Sequence, residues 1–412
     1  MPSPFAAYRP IIGPTEHDLI QRLAERLNGT QAVMVNSTRD GGGVAEILRG
    51  MVPLVNELGV PLTWEVIEGR PDFFNMTKTL HNALHGRPEP LTEDMISAYW
   101  EVTKANAERL KGALERPIVF IHDPQPAGLI RHLRRDGQLW VYRCHVDVST
   151  PYPPAWEFLR PIVESFDASV FSHPSFAQQL SIPQFLIAPS IDPLADKNKP
   201  LPPEFIRRTL ERYGLDPSRP IVTQVSRFDK LKDPVGVIQA YRKVKRSRPS
   251  VQLVLAGGAA SDDPESAHIL PAIQEAAGKD PDVHVLDLPP FSDLEINALQ
   301  RASTVVVQKS LKEGFALTVT EALWKERPVV ATAVGGIPLQ VISGKTGHLV
   351  HTIDGTASAI KRVLDNPAEA AALAKNGREH VRTNFLITRH ARDYMTLFLC
   401  ALHPGQSVVT FE

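Results

Sequence analysis

Short, unbroken apolar runs, each ending in a cluster of polar residues, most constrain how this chain folds. Residues 32–35, 118–121, 139–142 and 168–171 are such runs. Each is too short for a typical helix and apolar along nearly its whole length, the pattern of a parallel strand covered on both faces. Further strands are predicted near 62–67 and at 221–225, 251–256, 283–286, 304–307, 328–331 and 347–350. Segments of helical spacing separate them: 15–28 with Leu19, Leu23 and Leu27 on one face, the stretch from Val44 to Val55, most of 72–113, and about 386–402. This alternation predicts an α/β chain with parallel sheets. The proline-rich stretch 188–203 breaks all periodicity and marks the best linker between two halves, 1–190 and 191–385.

At 412 residues the chain is long enough for about two domains. A net charge of −1 gives no electrostatic case for nucleic acid or an anionic membrane as partner. The two cysteines, Cys144 and Cys400, cannot build a disulfide framework, which fits a reducing compartment. The first residues do not show a charged segment followed by an apolar run, and no apolar run nears the ~20 residues a membrane span needs. A cytoplasmic protein is therefore expected.

In an open parallel sheet, ligands bind at the carboxyl ends of the strands, where this chain concentrates its polar residues. After the strand at 32–35 come Asn36 to Asp40 and then Gly41, Gly42 and Gly43, before a helix. Three glycines form either a flexible turn or a corner where backbone approaches a ligand. The strand at 118–121 ends in His122-Asp123-Pro124-Gln125-Pro126, and the strand at 139–142 in Arg143-Cys144-His145-Val146-Asp147. The strand at 221–225 runs into Ser226-Arg227-Phe228-Asp229-Lys230-Leu231-Lys232-Asp233-Pro234. Arg227 and Lys232 are either a solvated charge cluster or a pair of cations able to hold one diphosphate. The loop Lys312-Glu313-Gly314-Phe315-Ala316-Leu317-Thr318-Val319-Thr320-Glu321 follows the strand at 304–307 and precedes a helix. Gly314 is expected to take backbone angles closed to other residues, Thr318 or Thr320 to cap the helix, and Glu321 to lie in its first turn. Such a helix start suits a phosphate; the bland alternative is a structural crossover in which Glu321 only complements the helix dipole.

Glu313 and Glu321, with seven residues between them around Gly-Phe-Ala-Leu, together with Ser226-Arg227 and Lys232-Asp233, resemble the signature of the retaining family 4 glycosyltransferases of GT-B fold. The stretches 36–46, 122–126 and 143–147 are similar to the trehalose-synthesising branch of that family, and the resemblance covers nearly the whole chain. It implies two Rossmann-like domains with an inter-domain cleft, and a last helix, within 386–412, that packs back on the first domain. It implies that Arg227 and Lys232 bind the donor's phosphates, Glu313 and His145 the donor sugar, and Glu321 the ribose. Gly41, Gly42 and Gly43 would face the diphosphate, and Phe315, Ala316, Leu317 and Thr318 would offer backbone N–H groups. Residues 284–288 would hold the base by main chain. Asp123, Gln125, Arg143 and Asp147 are the acceptor candidates. The expected reaction is glucose transfer from UDP-glucose or ADP-glucose to glucose, giving trehalose with retention, with reversal allowed. Retaining trehalose phosphorolysis, transfer to another sugar acceptor and non-catalytic nucleotide-sugar binding are the alternatives. No Asp-x-Asp ends a strand beside the site, so no obligate metal is expected and Mg²⁺ is not required; Asp147 and Asp229 are the weak ligand candidates. By resemblance the partners are sugars and nucleotide sugars, and the assembly a homodimer.

Overall fold

The computed structural model of this chain describes residues 4–258 and 265–403. Two compact units emerge: one holds the chain to Pro189 together with the chain from Ile387, the other is Ser190–Leu386.

The amino-terminal unit is built on six parallel strands: β1 (Ala32–Asn36), β2 (Leu62–Val66), β3 (Ile118–His122), β4 (Leu139–Arg143), β5 (Ala168–Phe171) and β6 (Gln184–Leu186). Their order is β2-β1-β3-β4-β5-β6. Val33, Val35, Val119 and Ile121 are fully buried in its core, each contributing about 1.5–3 kcal/mol. The strand order reverses between β1 and β3, so the loops leaving their carboxyl ends diverge and leave a crevice there. The helical stretch expected over 72–113 is two helices, Pro71–Leu84 and Glu93–Leu110. Gly86 stands between them at φ 93°, where an added Cβ would lie 2.7 Å from the Thr150 carbonyl oxygen, so that turn accepts only glycine. Thr92 caps the second helix by accepting from the Met95 amide at 3.3 Å.

The helix Ile387–Leu402 belongs to this unit. It packs on the helices Pro14–Arg26 and Gly42–Glu57, and its Tyr394 and Phe398 rings lie 4.8 and 6.0 Å from Phe120 of β3. Arg389 fixes its start by donating to the carbonyls of Ala188 and Pro189 at 2.8 and 3.0 Å. The rest of the expected terminal segment, 404–412, lies outside the described residues.

The carboxyl-terminal unit repeats the plan with β7 (Ile221–Val225), β8 (Gln252–Gly257), β9 (Val283–Asp287), β10 (Val305–Gln308), β11 (Val329–Thr332) and β12 (His348–Val350). All pairings are parallel, in the order β12-β11-β10-β7-β8-β9, and the order reverses between β7 and β10. The stretch 188–203 is not a loose linker. Asn297 donates to the carbonyls of Asp196 and Lys199 at 2.7 and 2.8 Å, and Arg301 to those of Asn198 and Lys199 at 2.9 and 3.0 Å. Lost periodicity there reflects backbone held by side chains rather than by a ladder. No described helix is long and apolar enough to cross a membrane.

Candidate active site

Both strand-order reversals sit beside the polar clusters. In the carboxyl-terminal unit, β7 leads through Arg227 into a turn of 3₁₀ helix, Lys230–Lys232, and then the helix Pro234–Lys245. Asp229 starts the first by accepting from the Lys232 amide at 3.1 Å, and Asp233, at φ 46°, starts the second by accepting from the Gly236 amide at 3.0 Å. A Cβ on Gly236 would fall 2.2 Å from the Asp233 carboxylate, which explains the glycine. Two caps in five residues thus fix where Lys232 emerges. Its ammonium meets Glu313 Oε2 at 2.7 Å, and Ser310 Oγ donates to the same oxygen at 3.0 Å. Lys309, next to Ser310, pairs with Asp233. Arg227 lies further out, 37% exposed, with Asp229 at 3.7 Å.

The helix after Glu313 is Leu317–Trp324, and here three expectations are corrected. The left-handed residue is Ala316, at φ 71°, not Gly314. Neither threonine caps the helix: Thr318 donates to Gln308 Oε1 at 3.1 Å, and Thr320 to Gln340 Oε1 at 2.5 Å. Glu321 is the helix's fifth residue, beyond its first turn, and its buried carboxylate accepts from Gln300 Nε2 at 3.1 Å. The cause is tertiary. Gln340 donates to the Phe315 carbonyl, the Gly336 amide donates to the Gly314 carbonyl at 3.1 Å, and the Phe315 ring packs 5.6 Å from Phe385. These contacts impose a turn that costs Ala316 about 1–2 kcal/mol of backbone strain. Uncapped, the helix leaves the amides of Ala316, Leu317 and Thr318 donating to no acceptor among the described residues. Such a row of N–H groups at a helix's positive end is suited to an anion.

Gly335 and Gly336 were not singled out from the sequence, yet they support this loop. A Cβ on Gly335, at φ 54°, would lie 1.6 Å from the Glu313 carbonyl oxygen, and one on Gly336 would lie 2.8 Å from that of Gly314. Gly335→Ala should therefore push Glu313 aside and lower kcat/KM by about tenfold or more with the fold retained; steady-state rates alongside circular dichroism check this. A glycine pair before a helix was the available signal.

In the amino-terminal unit, the three-glycine loop is shorter than expected. Gly41 (φ 75°) is the N-cap of the helix Gly42–Glu57, Gly42 (φ 76°) opens it, and Gly43 is already helical. All three are exposed. At the ends of β3 and β4 the structure gathers Asp123, Arg143 and His145. Asp123, at φ 67°, accepts from the His145 amide at 2.7 Å. Burial pushes the Asp123 carboxyl up to about 7. Arg143 is wholly buried; it donates to Ser172 Oγ at 3.1 Å, while its Nε and Nη1 meet no acceptor among the described residues. Burial lowers its basicity. Unpaired buried donors are rare in folded proteins, which marks this corner as built to meet hydroxyl or carbonyl oxygens. The half-buried Gln125 likewise keeps a buried, unpartnered Oε1. Asp147 is engaged locally, accepting from the amide and hydroxyl of Ser149 at 3.0 and 2.6 Å. Sequence reasoning assigned no role to His122, His390 or Tyr394, all buried beside this corner. Among the described residues, no three His, Cys, Asp or Glu side chains are arranged to hold a metal ion.

Residues 34–178 match the family described as "Trehalose synthase, N-terminal domain", and residues 206–380 that described as "Glycosyl transferases group 1". The chain is 46% identical over 394 residues to the trehalose synthase of Thermococcus litoralis, covering 95% of each protein. It is 31% identical over 404 residues to the trehalose phosphorylase of Pleurotus pulmonarius, across 85% of this chain and 54% of that one. Among solved structures, an α,α-trehalose-phosphate synthase (UDP-forming) from Burkholderia vietnamiensis superimposes with a TM-score of 0.72 at 18% identity, covering 93% of this chain and 99% of that one.

Proposed function

The chain belongs to the trehalose synthase family of glycosyltransferases, and from that premise we propose that it transfers glucose from UDP-glucose or ADP-glucose to free glucose, giving α,α-trehalose with retention. The observation that carries this reading is the Lys232–Glu313 pair, 2.7 Å apart, in the same unit as the unclaimed amides of residues 316–318. Breaking a sugar–diphosphate bond leaves negative charge on the departing nucleotide. Cations and amides placed for that charge stabilise the transition state more than the ground state. In this reading Arg227, Lys232 and the amides of 316–318 hold the diphosphate, Glu313 and His145 hold the donor sugar, and Glu321 the ribose. Gly41, Gly42 and Gly43 lie along the diphosphate. Asp123, Gln125, Arg143 and Asp147 receive the acceptor.

The C1–O bond to the diphosphate breaks and a bond from C1 to the acceptor oxygen forms on the same face. The departing diphosphate takes the acceptor hydroxyl's proton, which balances the step. Orthophosphate could occupy the same cationic site, so phosphorolysis of trehalose is the reading to discriminate, given the likeness to a phosphorylase. The test is incubation of purified protein with each nucleotide-glucose and glucose. Equal amounts of trehalose and nucleoside diphosphate are expected. Release of neither overturns the proposal. Trehalose cleavage by phosphate without nucleotide selects the phosphorylase instead, and a disaccharide formed only with a different sugar reassigns the acceptor.

A further inference from the structure

His122 is the last residue of β3 and lies opposite Arg143 in the register with β4. Its ring meets that of His145 edge to edge, with centroids 5.3 Å apart and planes 16° from parallel, and its Nδ1 lies 3.0 Å from His145 Nε2. Both rings are neutral at pH 7: burial, reinforced by the charge of Arg143, pushes His122 down to about 3 and His145 well below its usual value. Two neutral rings at that separation share one proton, and either nitrogen can carry it.

The surroundings decide between the two arrangements. His122 Nε2 is buried and has no hydrogen-bond partner among the described residues; Phe120 lies against the ring, its centroid 5.1 Å away. Were the proton of His122 on Nε2, a buried N–H donor would be left unpaired. Bare acceptors in that situation are tolerated more often than donors. The nearby guanidinium of Arg143 also favours a lone pair over a further N–H dipole.

We infer that His122 is a positioning residue, donating from Nδ1 to Nε2 of His145 and so holding His145 as its Nδ1–H form, with that N–H as the one donor its ring offers a sugar hydroxyl. The catalytic consequence rests on the reading of His145 as a sugar contact; the tautomer does not. His145 is held from two directions, by His122 at the ring and by Asp123 at the backbone amide. Its ring orientation and its hydrogen-bonding polarity are therefore set before a ligand arrives.

The tautomer is read directly from two-bond ¹H–¹⁵N correlation spectra of histidine-labelled protein at pH 7.5, with a His145→Asn variant assigning the signals. The expected pattern is protonated Nδ1 and bare Nε2 on His145. A proton on Nε2, or on both nitrogens, overturns the inference. In kinetics with a nucleotide-glucose, His122→Phe should lower kcat/KM by about tenfold or more. His122→Asn, whose amide can supply a donor near the Nδ1 position, should stay within about threefold of the parent. An equal loss in both variants, or no loss in the phenylalanine variant, rejects the positioning role. If no nucleotide sugar is turned over at all, the transferase proposal fails while the spectrum still decides the tautomer.

Discussion

Arg227→Ala should lower kcat by about 10²–10³-fold, the size of effect seen when one group aimed at developing negative charge is removed, and should leave the thermal midpoint nearly unchanged. The contrast follows from its setting. Arg227 is more than one-third exposed and lies a loose 3.7 Å from Asp229, a geometry worth at most about 1 kcal/mol. Lys232→Ala behaves differently. It removes a cation of the same proposed role and also leaves Glu313, 8% exposed, without its 2.7 Å partner. Stranding a buried charge costs about 3–5 kcal/mol, so this variant should lose turnover and stability together. Rates paired with unfolding midpoints test both. Arg227→Ala retaining more than half the parent kcat would remove the diphosphate-clamp role.

The buried corner of the amino-terminal unit carries opposing pH dependences that two substitutions separate. Burial lowers the pKa of His122 to about 3, and that of His390 well below its usual value, so protons bind the unfolded chain first as pH falls. Each thus contributes stability present at neutral pH and lost below about 6.5. Asp123 works the other way. With its carboxyl raised to about 7, it takes up a proton in the folded state first, and its burial penalty fades between pH 7 and 4. Asp123→Asn removes that compensation and should make the loss of stability from pH 7 to 5 steeper, by on the order of 2 kcal/mol. His390→Phe should make it shallower. Urea unfolding at pH 5, 6 and 7 gives both slopes; identical slopes in all three proteins would contradict the buried assignments.

Buried strands were the most legible part of the sequence. All six strands of the carboxyl-terminal unit lie within a residue or two of the stretches that announced them, and the four inner ones, β7, β8, β10 and β11, are buried along their whole length, so no polar alternation blurs them. β6 went unread: it is a three-residue edge strand, Gln184–Leu186, with Leu186 51% exposed, and an edge leaves little apolar signal. The charged ends of β7 and β10 were legible as a candidate site because strand-end position and residue type coincide. What failed was local conformation. Gly314, Thr318 and Thr320 were read by intrinsic preference, yet the turn is dictated by Gly335, Gly336 and Gln340, some twenty residues on. Propensity cannot register a contact that exists only after β11 pairs with β10. The same limit hid His122 and His390, which look like ordinary residues of a buried strand and a terminal helix until folding sets them beside Arg143 and His145.

Crystals of the protein soaked with UDP or ADP test the central electrostatic claim most directly. The predicted result is diphosphate density within hydrogen-bonding distance of the Arg227 guanidinium, the Lys232 ammonium and the amides of residues 316–318. Well-ordered nucleotide bound elsewhere, with those groups untouched, would contradict it.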